Sequence, residues 1–158
     1  MKVITIKEPF ASLVADGIKK VETRSWKTNY RGEIYIHAGL TKVPEQDERI
    51  KKLITFLPSK KFLYGHIIAK GKLVNCIYMD EKFLETIENN PIEKLCGHYE
   101  KGRYAWVIED IQRLEHPILV KGKLGIWNYE NNNQNEMHPN WYTSNKRQFV
   151  KLKIKGEL

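Results

Sequence analysis

A chain of 158 residues has the length of one domain, and a domain of that size buries roughly 70% of the surface its unfolded chain exposes. Its 41% hydrophobic and 29% charged residues exclude a wholly disordered chain, and no apolar run approaches the roughly 18 residues that span a bilayer. Lysine and arginine total 27 against 19 acidic residues. The resulting net charge of +8 either attracts phosphate-bearing partners or simply keeps a lysine-rich surface soluble.

Residues 3–6, Val-Ile-Thr-Ile, predict a first strand, with no signal-peptide pattern before it and hence a cytoplasmic location. Pro9 suits the first turn of a helix carried by Phe10, Leu13 and Val14, which Asp16-Gly17 closes. Residues 21–26 predict a second strand, 28–32 a turn-rich loop and 33–38 a third strand. Residues 44–57 place Ile50, Leu53, Ile54 and Leu57 on one stripe of a surface helix. The stretch 64–78 is long and β-branched, and Gly71 predicts a bulge or bend within it. Asp80 is placed to cap a short helix reaching Asn89, and 91–95 a further helical piece. Residues 104–108 predict a core strand open to continuation toward Leu114; 117–120 and 124–127 predict two short strands around Lys121-Gly122-Lys123. The asparagine-rich run 131–135 predicts a loop and 148–154 a last strand. The expected organisation is a domain over 1–129 followed by a polar loop and strand-like extension over 130–158. Strands outnumber helices without regular βαβ alternation, which predicts an α+β domain built on a bent or barrel-like mixed sheet.

Cys76 and Cys96 have no metal-ligand spacing and read as buried thiols. His37, His66, His98, His116 and His138 are scattered, so neither a metal nor a cofactor is expected. There is no Gly-rich phosphate loop and no G-x-S-x-G elbow. The densest polar cluster is 17–26. On a strand, Lys20, Glu22, Arg24 and Trp26 share one face, which should border water or a cleft. Arg24 is suited to fork onto a phosphate, Trp26 to stack on a base, and Lys19 with Glu22 is the one Lys/Glu grouping suited to acid–base work. The same pattern also fits a solvated strand face whose Trp26 covers a core edge. Tyr30-Arg31-Gly32 is either a second ligand contact or an ordinary turn. At least one of Tyr104 and Trp106 reads as a core aromatic, with Arg103 adding charge at the strand mouth.

These residues resemble a known family. Residues 4–13, Ile-Thr-Ile-Lys-Glu-Pro-Phe-Ala-Ser-Leu, look like the opening of ASCH (activating signal cointegrator homology) domains. Gly17-x-Lys19-x-x-Glu22-x-Arg24 is similar to that family's G-x-K-x-x-E-x-R signature. Tyr30-Arg31-Gly32 with His37-Ala38, residues 102–107, and 117–127 are similar to its later blocks. The resemblance covers residues 1 to about 129. It implies a PUA-like bent β-barrel with helices at its openings, and a basic cleft lined by the signature and suited to RNA or nucleotides. One bacterial branch of the family hydrolyses acetylcytidine with a lysine and a threonine in the motif and a distant glutamate. Here Lys19 matches the lysine, and Glu22 stands where that branch has threonine.

Three functions follow. The first is an RNA- or nucleotide-binding module with Lys19, Lys20, Glu22, Arg24, Trp26, Tyr30 and Arg31 around the ligand. The second is a nucleoside or RNA hydrolase using Lys19 and Glu22 as catalytic residues. The third is a protein-interaction adaptor.

Overall fold

The computed structural model describes residues 1–130. The asparagine-rich run, the basic stretch from Lys146 to Lys155 and the expected strand over 148–154 lie outside the described residues. In chain order the elements are β1 (Lys2–Ile6), α1 (Phe10–Ala15), β2 (Val21–Arg24), β3 (Gly32–Ala38), α2 (Glu48–Ile54), β4 (His66–Tyr78), α3 (Glu81–Glu88), α4 (Pro91–Cys96), β5 (Tyr104–Leu119) and β6 (Ile126–Asn128). The strands form one mixed sheet in the order β2-β5-β4-β3-β1-β6, parallel only between β1 and β3.

Three strands separate β2 from β1. In a flat sheet, four spacings of about 4.8 Å would put them about 19 Å apart. Yet the Arg24 guanidinium of β2 donates to the Thr5 carbonyl of β1 at 3.0 Å. The sheet therefore curls into a half-barrel, the α+β, PUA-like architecture expected from the sequence. Its bends are local. Pairing of β4 with β5 shifts register between Lys70 and Lys72, at Gly71, where a Cβ would lie 2.8 Å from the Ile111 side chain and 3.0 Å from the Glu109 carbonyl. Only glycine lets the two backbones approach so closely.

The predicted break before Pro117 does not occur: β5 runs unbroken through it. Pro117 falls in the register shift between Ile118 and Arg113, where β5 has no paired residue on β4, and β2 pairs only with Tyr104 to Val107, so the missing N–H costs no ladder bond. Strand β2 ends at Arg24, two residues earlier than predicted, and Ser25 and Trp26 leave the sheet. Helix α2 starts at Glu48, four residues later than expected, because Asp47 caps it, accepting from the Ile50 N–H at 3.0 Å, and it ends at Ile54, before Leu57 of the stripe. Asp80 caps α3 as predicted, accepting from Phe83 N–H at 2.8 Å.

The concave side of the sheet packs Ile4, Ile6, Ile34, Ile36, Leu73 and Trp106 against Ala11 and Val14 of α1. A second cluster joins Leu13 to Ile50 and Leu53 of α2, Phe62, Tyr64 and Cys96 of α4. Phe10 packs against both clusters. Arg113 forks onto Asp16 at 2.6 and 2.9 Å, pinning the end of α1 to β5.

A buried polar chain ties the last described strand to the sheet. The Trp127 indole N–H donates to the Thr5 hydroxyl at 3.1 Å, that hydroxyl lies 3.2 Å from His37 Nδ1, and His37 Nε2 lies 2.7 Å from the Val120 carbonyl. A carbonyl only accepts, so Nε2 carries the proton and Nδ1 accepts from Thr5. His37 is 1% exposed, and burial holds its pKa below the usual 6.5 against the opposing hydrogen bond to Val120. In the unfolded chain the imidazole binds a proton near pH 6.5, before the folded protein does. His37 therefore contributes stability that is present above about pH 6.5 and is lost as pH falls toward the depressed folded value. Glu8 and Glu93, both pushed up by burial, act in the opposite sense as pH rises above 4.5. The expected result is that urea midpoints of wild type fall more steeply from pH 7 to pH 5 than those of His37→Asn. Parallel pH profiles would refute the assignment.

Candidate functional site

A cavity of about 700 Å³ opens between the curled sheet and the helical cluster. It is walled by Thr5, Ile6 and Lys7, by Glu22 to Arg24, by residues 39–41 and 96–98, by Phe10, Arg49 and Arg103, and by residues 123–125. The curl of the sheet brings the first two segments together, and α2 and α4 close the third side.

Among the described residues five cations border this space: Lys7, Arg24, Arg49, Arg103 and Lys123. Each arginine is held by backbone carbonyls. Arg49 donates from Nε to Leu95 O at 2.7 Å and from Nη2 to Gly97 O at 3.3 Å. Arg103 donates from Nε to His98 O at 3.0 Å and from Nη2 to Thr23 O at 3.4 Å. Arg24 uses Nη2 for Thr5 O and for Glu22 Oε2, both at 3.0 Å, with its guanidinium 5.9 Å from the centre of the Trp106 ring. These bonds fix the forks and leave Nη1 of each without a partner among the described residues. Fixed guanidinium groups suit phosphate or carboxylate recognition, because little side-chain entropy is lost when the anion arrives.

Among the described residues Glu22 is the one carboxylate in the cavity wall. Its side chain is 10% exposed and lies between Arg24 at 3.0 Å and Lys19 at 3.6 Å. Lys19 does not reach the cavity. Its side chain is 1% exposed, and its ammonium donates to the Val21 carbonyl and, at 2.9 Å, to the Cys96 carbonyl, so it clamps α4 to the edge strand. Of the charged face of β2, expected to border water or a cleft, Glu22 and Arg24 line the cavity, with Glu22 nearly buried. The other named residues lie outside the cavity wall. Lys20 is exposed, and its amide rather than its ammonium is used, donating to Glu93 Oε1 at 2.6 Å. Trp26 covers Trp106 edge-on at 4.6 Å and is 40% exposed. Arg31 turns back onto the carbonyls of Thr28 and Tyr30 at 3.0 and 2.8 Å, and the Tyr30 hydroxyl closes the same turn on the Glu33 carbonyl. The structure therefore brings together Lys19, Glu22 and Arg24, and holds Lys20, Tyr30 and Arg31 apart from the cavity.

Arg49, Lys7 and Lys123 carry no signal in the sequence: each reads as a solvated cation, and only the fold makes them neighbours. Arg103 was legible as a cation at a strand mouth. Both cysteines are free thiols, and burial pushes the Cys96 thiol up to about 11, so it is no nucleophile near neutral pH. No helix of the described residues is long and apolar enough to cross a membrane.

The ASCH domain model matches residues 4–153, continuing past the boundary expected at 129. Activating signal cointegrator 1 of Homo sapiens is 32% identical over 125 residues, and that of Mus musculus 23% identical over 125 residues. Each alignment covers 78% of this chain and 21% of the relative, so the chain spans about a fifth of the length of these curated proteins. With the family model extending over nearly all of it and the half-barrel as its frame, the chain belongs to the ASCH domain family.

Proposed function

We propose that the cavity binds the sugar-phosphate backbone of RNA, or the phosphate of a nucleotide. The observation that carries this reading is the convergence of five cations from five separate parts of the chain on one concave space that holds, among the described residues, a single, already neutralised carboxylate. Such a space focuses positive potential, and its carbonyl-anchored arginines are preorganised for an anion. Glu22 fits a positioning role, since it orients Arg24 and balances Lys19.

The hydrolase reading would need the Lys19 ammonium to meet substrate. It donates to two backbone carbonyls and is ion-paired with Glu22, behind the cavity wall, and this geometry favours a binding module. The adaptor reading draws on the cointegrator name of the two relatives and has no observed surface to favour it.

The test is fluorescence anisotropy with a labelled octauridylate and the full chain. Arg49→Ala and Arg103→Ala are each expected to weaken binding by about tenfold, on the scale of a charge-assisted hydrogen bond of about 1.5 kcal/mol. Lys52→Ala, an exposed cation outside the cavity wall, should change little. Equal binding by all four proteins would refute the proposal.

A further inference from the structure

Beside the cavity, on the same concave face, lies a row of aromatic rings that the cavity itself does not use. Arg24 of β2 stands directly opposite Tyr104 of β5, which stands opposite Tyr78 of β4. Residues paired in this way project from one face of the sheet, with Cβ atoms about 5 Å apart. The Tyr78 and Tyr104 rings meet at 5.7 Å between centroids with a 68° tilt. One step along the strands, Trp106 is fully buried under Arg24 on one side and Trp26 on the other. The accessible rings are therefore Trp26, 40% exposed, Tyr104, half-buried, and Tyr78, 49% exposed. Arg24 lies between this row and the cavity and is shared by both.

We propose that this row is a stacking platform for the bases of single-stranded RNA whose backbone enters the cavity. The proposal rests on the nucleic-acid reading of the cavity and extends it: the ligand is a strand of several nucleotides rather than a mononucleotide. Three features support that choice of occupant. The row begins at an arginine of the cationic cavity, so a chain held by its phosphates there passes directly over the rings. Ring faces accept any base, while the cavity supplies the charge complementarity that a purely apolar protein contact would lack. Tyr78 is 49% exposed and its ring meets Tyr104 edge-on, which leaves ring surface accessible to a base.

The experiment is competition for a fluorescent octauridylate by uridine monophosphate, diuridylate and tetrauridylate. Each base placed on a ring is expected to tighten binding by about tenfold, so tetrauridylate should compete at least about a hundredfold better than the monophosphate. Tyr78→Ala should remove about a tenfold share of the tetrauridylate affinity and leave monophosphate binding unchanged, while Tyr78→Phe, which keeps the ring, restores it. Tyr78 is half-exposed, so its truncation leaves the core intact. A matching melting curve for Tyr78→Ala checks that.

If tetrauridylate and the monophosphate compete equally, or if Tyr78→Ala binds tetrauridylate as wild type does, the platform is refuted. In that case the cavity reading still stands, provided Arg49→Ala weakens binding. Failure of octauridylate to bind at all refutes both. Concentration-dependent self-association that disappears in Tyr78→Ala, without any dependence on oligonucleotide length, would assign the row to a protein contact and overturn the proposal.

Discussion

Lys19→Ala is expected to destabilise the fold by about 3 kcal/mol, seen as a lowered urea midpoint, because it removes one partner from a buried ion pair. The change leaves the Val21 and Cys96 carbonyls without their shared donor and leaves Glu22, 10% exposed, with Arg24 alone. Breaking a buried pair typically costs about 3–5 kcal/mol, and the remaining Arg24 contact sets the value at the low end. Against a total stability of about 5–15 kcal/mol for a domain, that is a large share. Lys19→Met, which retains the stem beside the Phe10 ring and loses only the charge, should recover part of the packing and none of the clamp. A hydrolytic base would behave differently. Removing it would abolish turnover of acetylated cytidine while the midpoint stayed near that of wild type. Such a result would overturn the structural role.

The second large effect concerns salt. If all five cavity cations meet phosphates of a single strand, each neutralised phosphate contributes about −0.7 to the slope of log affinity against log salt concentration. The expected slope is about −3.5, a loss of about three thousandfold between 50 and 500 mM salt. Arg49→Ala should reduce that slope by about 0.7 at the same time as it lowers affinity. Titrations of octauridylate at four salt concentrations measure both. A slope near zero would point to a partner held without phosphate contacts and would remove the nucleic-acid reading.

The parts of this molecule that were legible in its sequence are those set by short-range rules. The Glu22–Arg24 contact follows from strand alternation, the cap at Asp80 from its side chain, and the bend at Gly71 from the lack of a Cβ. Long-range geometry was not legible. Arg49 belongs to a helix whose polar face reads as solvated, and only the docking of α2 against α4 turns it toward Leu95 and Gly97. Lys19 and Lys20 are adjacent and chemically identical, yet one ammonium is buried and the other exposed. What separates them is the end of α4, 77 residues away in sequence, arriving over Lys19. Arg31 shows the reverse: a motif position with the right chemistry spends Nη1 on two carbonyls of its own turn and stays outside the cavity wall.

The seam between the two hydrophobic clusters has a mechanical consequence. Phe10 touches both and also forms part of the cavity wall, while Arg49 bolts α2 to the C-terminal turn of α4. The helical side is short elements held by a small cluster; the sheet side is a long, cross-bonded ladder. An opening of the smaller cluster that moved α2 and α4 together would have to break the Lys19 clamp between α4 and β2, and would be a sub-global event of the kind that amide exchange resolves. The width of the mouth is then governed by that cluster and the Lys19 clamp, and whatever fills the space also latches the two helices.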